Sequence, residues 1–214
     1  MRMHPTALAV LLAVPSGAAS PPAATTVELV WFDPRDTLSD RFGDLREEVD
    51  SIFRGIGVEV KWTRGGPGTV YGLGGRPEVA VILLAEDRSK GPESIMGLVL
   101  KSPKPTRVAW VFVSNVRAAL GHDSLRTRPS LVEAPDLARA VARVAAHEVV
   151  HAIAPDEPHA RDGLMSQALS RHFLLGARAP IDPRCASVFL GRLAELSPTR
   201  DASLALRTVP FRGP

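Results

Sequence analysis

The sequence has little cysteine and no long apolar run, the features that mark disulfide-rich and membrane-spanning proteins. Its 214 residues include one cysteine, Cys185, so no disulfide can form within the chain. Its clearest apolar run, residues 7–14, has eight residues, whereas a helix that crosses a bilayer needs about 20. We therefore expect neither a disulfide scaffold nor a membrane span in the mature protein.

The sequence also has no large excess of positive or negative charge. The chain has 26 basic and 23 acidic residues, and the arginines occur singly or in short clusters such as Arg126 and Arg128. Proteins that bind nucleic acid usually concentrate positive charge on one face, so we expect no nucleic-acid partner. The length suits one domain, no internal repeat is visible, and we expect a monomer.

The N-terminal residues 1–19 have the three parts of a secretory signal peptide. A positive charge precedes the apolar run, and small residues follow it. We expect cleavage near Ala18 or Ala19, a spacer over residues 20–26 and a single domain over residues 27–214. No cysteine follows the run to carry a lipid anchor, so the expected location is secreted or periplasmic.

Hydrophobic periodicity in the rest of the chain predicts an α+β fold. Five segments have the composition or alternation of strands: 27–32, 58–62, 79–84, 96–100 and 108–113. Three segments have helical periodicity: 37–55, 136–154 and 183–196. Prolines flank the 96–100 segment, which we therefore place at a sheet edge. We expect a twisted mixed sheet of about four or five strands, packed on the 136–154 helix, and a mostly helical C-terminal part.

The 136–154 helix has an apolar stripe and a polar one. Its apolar stripe contains Leu137, Ala140, Val141 and Val144. Arg139 and Arg143 fall on the opposite face, which we expect to contact solvent. Asp136 is a residue type that often caps a helix N-terminus, and we expect the helix to begin there.

The motif HExxH lies at residues 147–151, on the apolar stripe of this helix. Residues four apart share a helix face, so His147 and His151 can bind one metal ion, with Glu148 close to a water on that ion. Burying two imidazoles and a carboxylate side by side is costly, and a divalent cation compensates all three. The alternative is a binding domain without metal, in which the histidines are hydrogen-bonded core residues.

A third ligand must come from outside the helix. A continuing helix would carry His159 about 12 Å along its axis from His151. Pro155 lacks an N–H and disfavours a helical Ala154, so the helix should end there and the chain can return His159 to the metal. Met165, further on, is suited to an apolar floor beneath the site. The other candidate ligands are Asp156, Glu157, Asp162, His172 and Glu195.

These spacings resemble those of the metzincin-like zincins. The similarity is to small secreted bacterial zinc-dependent proteases, in which AHExxH is followed by seven residues and a histidine, and then by G-[LI]-M. The matching residues here are Ala146–His151, His159 and Gly163–Met165. The resemblance implies a zincin fold, one zinc ion bound by His147, His151 and His159, Glu148 as general base, and Met165 beneath the site.

Two functions of different kinds agree with this resemblance. One is an exported zinc metallopeptidase that acts on peptides or proteins. The other is an exported zinc-binding module without catalytic activity, which is favoured by Val150 and Pro155, since many members of the bacterial group have glycine there. Glu148 favours the peptidase, because a structural zinc site normally has four protein ligands and needs no base. We therefore expect a metallopeptidase.

The signal-peptide pattern predicts a mature form that begins near residue 19 or 20. N-terminal sequencing or intact-mass measurement of the exported protein tests this. A chain that stays in the cytoplasm with residues 1–19 attached would contradict both the signal peptide and the export.

Overall fold

The computed structural model describes residues 25–66, 69, 77–85, 95–99, 107–122 and 129–197. The predicted signal peptide and Tyr71, the single tyrosine, lie outside these residues. The strands are β1 (Thr25–Phe32), β2 (Val58–Arg64), β3 (Glu78–Leu84), β4 (Gly97–Val99) and β5 (Val108–Phe112). The α-helices are α1 (Phe42–Arg54), α2 (Val113–Ala119), α3 (Ala134–Ile153), α4 (Arg171–Leu175) and α5 (Pro183–Leu196). A 3-10 turn, Ser39–Arg41, precedes α1.

The described strands form one mixed sheet in the order β2-β1-β3-β5-β4. β1, β2, β3 and β5 run parallel, and β4 pairs antiparallel with β5 at the edge. The expected mixed sheet and the edge position of β4 are thus confirmed. β1 begins at Thr25, so the last two residues of the predicted spacer belong to the sheet.

α3 is the central helix and is buried on nearly all sides. It contacts α1, α4, β4 and β5, and almost all of its residues are buried. It begins two residues earlier than expected, at Ala134, so Asp136 is not the N-cap but lies in the first turn, where its charge still suits the helix dipole. It ends at Ile153, before Pro155, as the sequence predicts.

Two short helices were not predicted. α2 follows β5 without a break, so Val113, expected to be the last strand residue, is the first residue of a helix. α4 has five residues, too few for a helical period to be visible. Its start is marked by Ser170, whose side chain accepts a hydrogen bond from the Phe173 amide at 3.3 Å.

α5 has the predicted bounds. The Asp182 side chain caps it by accepting a hydrogen bond from the Arg184 amide at 2.9 Å, with a proline at the first helical position. Cys185 is buried in its first turn. Burial, aided by the charges of Glu157 and Asp182, raises the pKa of this thiol to about 11, so it packs as a neutral group. None of the described helices is long and apolar enough to cross a membrane.

The prediction that Arg143 contacts solvent is wrong. Arg143 belongs to α3, and its side chain is fully buried. Its Nε donates to a Glu48 carboxylate oxygen at 2.7 Å, and its Nη2 donates to the Gly176 carbonyl at 2.7 Å. Its Nη1 donates to the Phe173 carbonyl, and the guanidinium lies over the Phe173 ring. α3 is covered on both faces. The Arg143 side chain, on the face opposite the sheet, therefore contacts α1 and the end of α4.

Replacement of Arg143 by Met should lower the free energy of unfolding by about 3 kcal/mol, because it leaves two carbonyls and a half-buried carboxylate without their donor. Urea denaturation measures this. The control is Arg139→Met on the same helix, where an exposed ion pair with Asp136 at 3.9 Å should be worth less than about 1 kcal/mol. Equal, small losses in both variants would show that the buried network does not stabilise the fold.

Candidate metal centre

The last two turns of α3 bring two imidazoles together. The His147 and His151 ring centroids are 4.7 Å apart, as expected for residues one turn apart on one face. His147 is 6% exposed, whereas His151 is half-buried and lies nearer the surface. The helix therefore holds one end of the pair in the core and the other at the mouth of a cavity.

The chain after α3 turns back and returns a third imidazole. Ala154 leaves the helical conformation, and the Glu157 amide donates to the Ala154 carbonyl at 3.1 Å, which closes a tight turn. His159 Nε2 then lies 3.2 Å from His151 Nε2, and the His159 ring centroid lies 5.3 Å from that of His147. The chain reversal inferred from Pro155 is thus present.

The tautomer of His147 follows from its hydrogen bond. His147 Nδ1 lies 2.7 Å from the Leu164 carbonyl oxygen, which can only accept, so Nδ1 carries the proton and Nε2 keeps its lone pair. Burial lowers the pKa of His147; the Leu164 hydrogen bond opposes this effect and His159 adds to it. The ring is therefore neutral at neutral pH and suited to bind a metal.

The segment that carries the Leu164 carbonyl is a compact turn. The Ala160 amide donates to the Met165 carbonyl at 2.8 Å, and Gly163 has a φ of 81°, a conformation that favours glycine. Met165 is 1% exposed and belongs to the hydrophobic core. Its core position agrees with an apolar residue near the site, and a specific role beneath a metal stays a prediction.

Glu148 adds a buried carboxylate to this arrangement. It is 7% exposed, and burial raises the pKa of its carboxyl group to about 8. A divalent cation close to it would favour the charged form and lower this pKa. Sequence reasoning placed Glu148 on the inner face of the helix, and the structure has it there.

A cavity of about 370 Å³ contains these groups. Its lining includes residues of β4, of α3 and of the turn after α3. The lining residues are Gly97, Leu98, Val99, His147, Glu148, His151, Pro155, Glu157, Pro158 and His159. The histidines and Glu148 thus face a space that a small molecule or an extended chain could enter.

The alternative third ligands do not join the three histidines. Asp156 lies 3.8 Å from Arg192, and Glu195 lies 2.8 Å from the same guanidinium. Glu157 lines the cavity, Asp162 belongs to the following turn, and His172 is exposed on α4. In the described part of the chain, His147, His151 and His159 form the one group of three potential metal-ligating residues.

The geometry of this group fits a divalent metal ion. Its potential ligand atoms all lie within 4.8 Å of one another. A tetrahedral zinc ion with Zn–N distances of about 2.0–2.1 Å holds its nitrogens roughly 3.4 Å apart, which small side-chain rotations would reach from here. A zinc ion bound by these three imidazoles would have one coordination position left for water or substrate. These three histidines could therefore hold a metal ion.

Two contributors to the site were missed by sequence reasoning. The Leu164 carbonyl is a backbone group, and a backbone acceptor cannot be recognised from residue type. The only sequence signal for it is that Leu164 lies within the Gly163–Met165 match. The close contact between β4 and Glu148 depends on how an edge strand packs against α3, which periodicity does not specify.

Comparison with known proteins gives a structural likeness. No family model matches the sequence, and no curated protein matches it. The structure is similar to that of an archaemetzincin from Methanopyrus kandleri, with 21% sequence identity, covering 82% of this chain and 99% of that one, at a TM-score of 0.47.

The position of His159 predicts that His159→Ala weakens zinc binding about as much as His151→Ala. We expect a loss greater than about 100-fold, since even partners of metal ligands contribute about 10–100-fold. Titration with zinc against a competing chelator measures it. His172→Ala, which removes an exposed imidazole on α4, is the control and should leave binding unchanged. Full zinc affinity in His159→Ala would exclude it as a ligand.

Proposed function

We propose that the protein is an exported zinc-dependent metallopeptidase that hydrolyses bonds in peptides or proteins. The observation that carries this proposal is the buried Glu148 carboxylate, which shares a cavity with three clustered imidazoles. A zinc ion with a purely structural role normally has four protein ligands and does not require a buried carboxylate beside it. Three imidazole ligands, an open coordination position and an adjacent base are the arrangement of a hydrolytic zinc site.

Each residue has a defined task in this reaction. Bound zinc would supply a Lewis acid that polarises the scissile carbonyl and makes a water molecule more acidic. Glu148 accepts the proton of the attacking water on a carboxylate oxygen and later donates it to the leaving amine nitrogen. Leu164 holds His147 in the tautomer whose Nε2 is unprotonated.

The residues that line the cavity are suited to bind an extended peptide substrate. β4 is the edge strand of the described sheet, and its residues Leu98 and Val99 line the cavity. A peptide can add to such an edge through main-chain hydrogen bonds, which would lay it past Glu148 and the histidines. The chemistry of this edge favours a peptide over a compact small molecule.

The two departures from the bacterial pattern do not prevent assembly of the site. Val150 is buried within α3, and the helix ends before Pro155 with His159 returned to the other imidazoles. This supports a peptidase over an inert zinc-binding module. Export is proposed from the N-terminal sequence, whose residues lie outside the described ones.

Replacement of Glu148 by Gln separates catalysis from metal binding. Glutamine preserves the size of the side chain but cannot accept the proton, and all three imidazoles remain. Zinc should stay near one per chain, while peptide hydrolysis should fall by about 10²–10⁴-fold. Zinc analysis beside cleavage of a mixed peptide library measures both.

The matched control is Glu195→Gln, an exposed carboxylate on α5 that contacts Arg192, and its activity should equal that of the wild type. Cleavage by Glu148→Gln at the wild-type rate would assign the activity to another site. A wild type that binds zinc yet cleaves no peptide would favour the inert module.

A further inference from the structure

Gly97 lies against the Glu148 side chain more closely than any other residue type could. A Cβ atom built on Gly97 would lie 2.5 Å from Glu148 Oε1, 2.6 Å from its Cγ and 2.8 Å from its Cδ. These separations are roughly 1 Å below the optimum for non-bonded heavy atoms. Among the described glycines, Gly97 is alone in bringing such a Cβ within 3.0 Å of another atom.

Glu148 cannot escape this contact by a movement of its carboxylate tip alone. The contact includes Cγ, whose position is set by the first side-chain torsion. In a helix that torsion has two favoured values, and the third drives the side chain into the preceding turn. A side chain at Gly97 would therefore turn the whole Glu148 side chain to another rotamer, away from its place in the cavity.

β4 also has little freedom to move away. Gly97 is paired with Val111 of β5, and the Phe112 amide donates to the Met96 carbonyl at 2.8 Å. On the same strand, Leu98 pairs with Trp110. A shift of about 1 Å would lengthen these bonds beyond normal hydrogen-bond distances.

We infer that Gly97 is a positioning residue: the space left by its missing side chain is what holds the Glu148 carboxylate beside His147, His151 and His159. This inference rests on the proposed function in one respect, the role of Glu148 as a base. Its geometric part concerns two residues of this chain and is independent of metal and substrate. β4 thus positions the side chain of the general base, Glu148, and also lines the cavity.

A mutant cycle on the metal-free protein tests the geometric part. It compares the wild type, Gly97→Ala, Glu148→Ala and the double variant in urea denaturation. Gly97→Ala should lower the urea midpoint in the wild-type background. In the Glu148→Ala background the same change should leave the midpoint unchanged or raise it, because the clash is gone and alanine restricts the unfolded chain. Gly43→Ala in α1, where a Cβ meets no atom within 4 Å, is the control and should not depend on Glu148.

Kinetics test the functional part. Gly97→Ala should keep zinc near one per chain and lower kcat about 10²-fold, the loss expected when a catalytic group is displaced by about 1 Å. Gly43→Ala should keep the wild-type kcat. A fall in kcat with retained zinc and a cycle coupled to Glu148 together support the inference.

Two outcomes would overturn it. The first is an additive cycle, in which Gly97→Ala destabilises both backgrounds equally. The second is a wild-type kcat in Gly97→Ala, which would mean that β4 moves and Glu148 stays in place. Failure of the proposed function looks different, since the wild type would then cleave no peptide while the cycle in metal-free protein could still show the coupling.

Discussion

The packing of this structure depends on one requirement: ionisable groups buried in an apolar helix must find partners. α3 is covered on nearly all sides, yet it carries Arg143, His147 and Glu148 as buried polar residues. Each such group costs several kcal/mol unless a partner offsets its loss of water. The partners come from other segments of the chain, so the need for compensation determines which segments must pack against α3.

The three groups are compensated in different ways. Arg143 draws in Glu48 of α1 and two carbonyls at the end of α4, so it links three parts of the fold. His147 needs one acceptor, which the Leu164 carbonyl provides. Burial raises the pKa of the Glu148 carboxyl group, and a cation in the cavity would offset this effect. The contacts of Arg143 and His147 stabilise the fold, while the Glu148 carboxyl group keeps a raised pKa and lines the cavity.

The sequence predicted those parts of the fold that depend on periodicity and backbone restriction. α5 has its predicted bounds, the edge position of β4 was expected, and α3 ends where Pro155 requires it. The HExxH spacing predicted the pairing of His147 and His151. The chain reversal at Pro155, together with the family resemblance, favoured His159 over the other candidate ligands. The burial of Arg143 was not predicted, because a helix with two covered faces has the same periodicity as one with a solvent-facing side.

The turn that carries His159 would lower the entropy cost of binding a metal ion at the three histidines. Pro155 and Pro158 fix two of the backbone torsions between the helix and His159. A segment restricted in this way has fewer conformations to lose when an ion is captured. The turn places His159 Nε2 3.2 Å from His151 Nε2. Part of the entropy cost of ordering a metal site at these residues would therefore be met when the chain folds, and would not reduce the affinity for an ion.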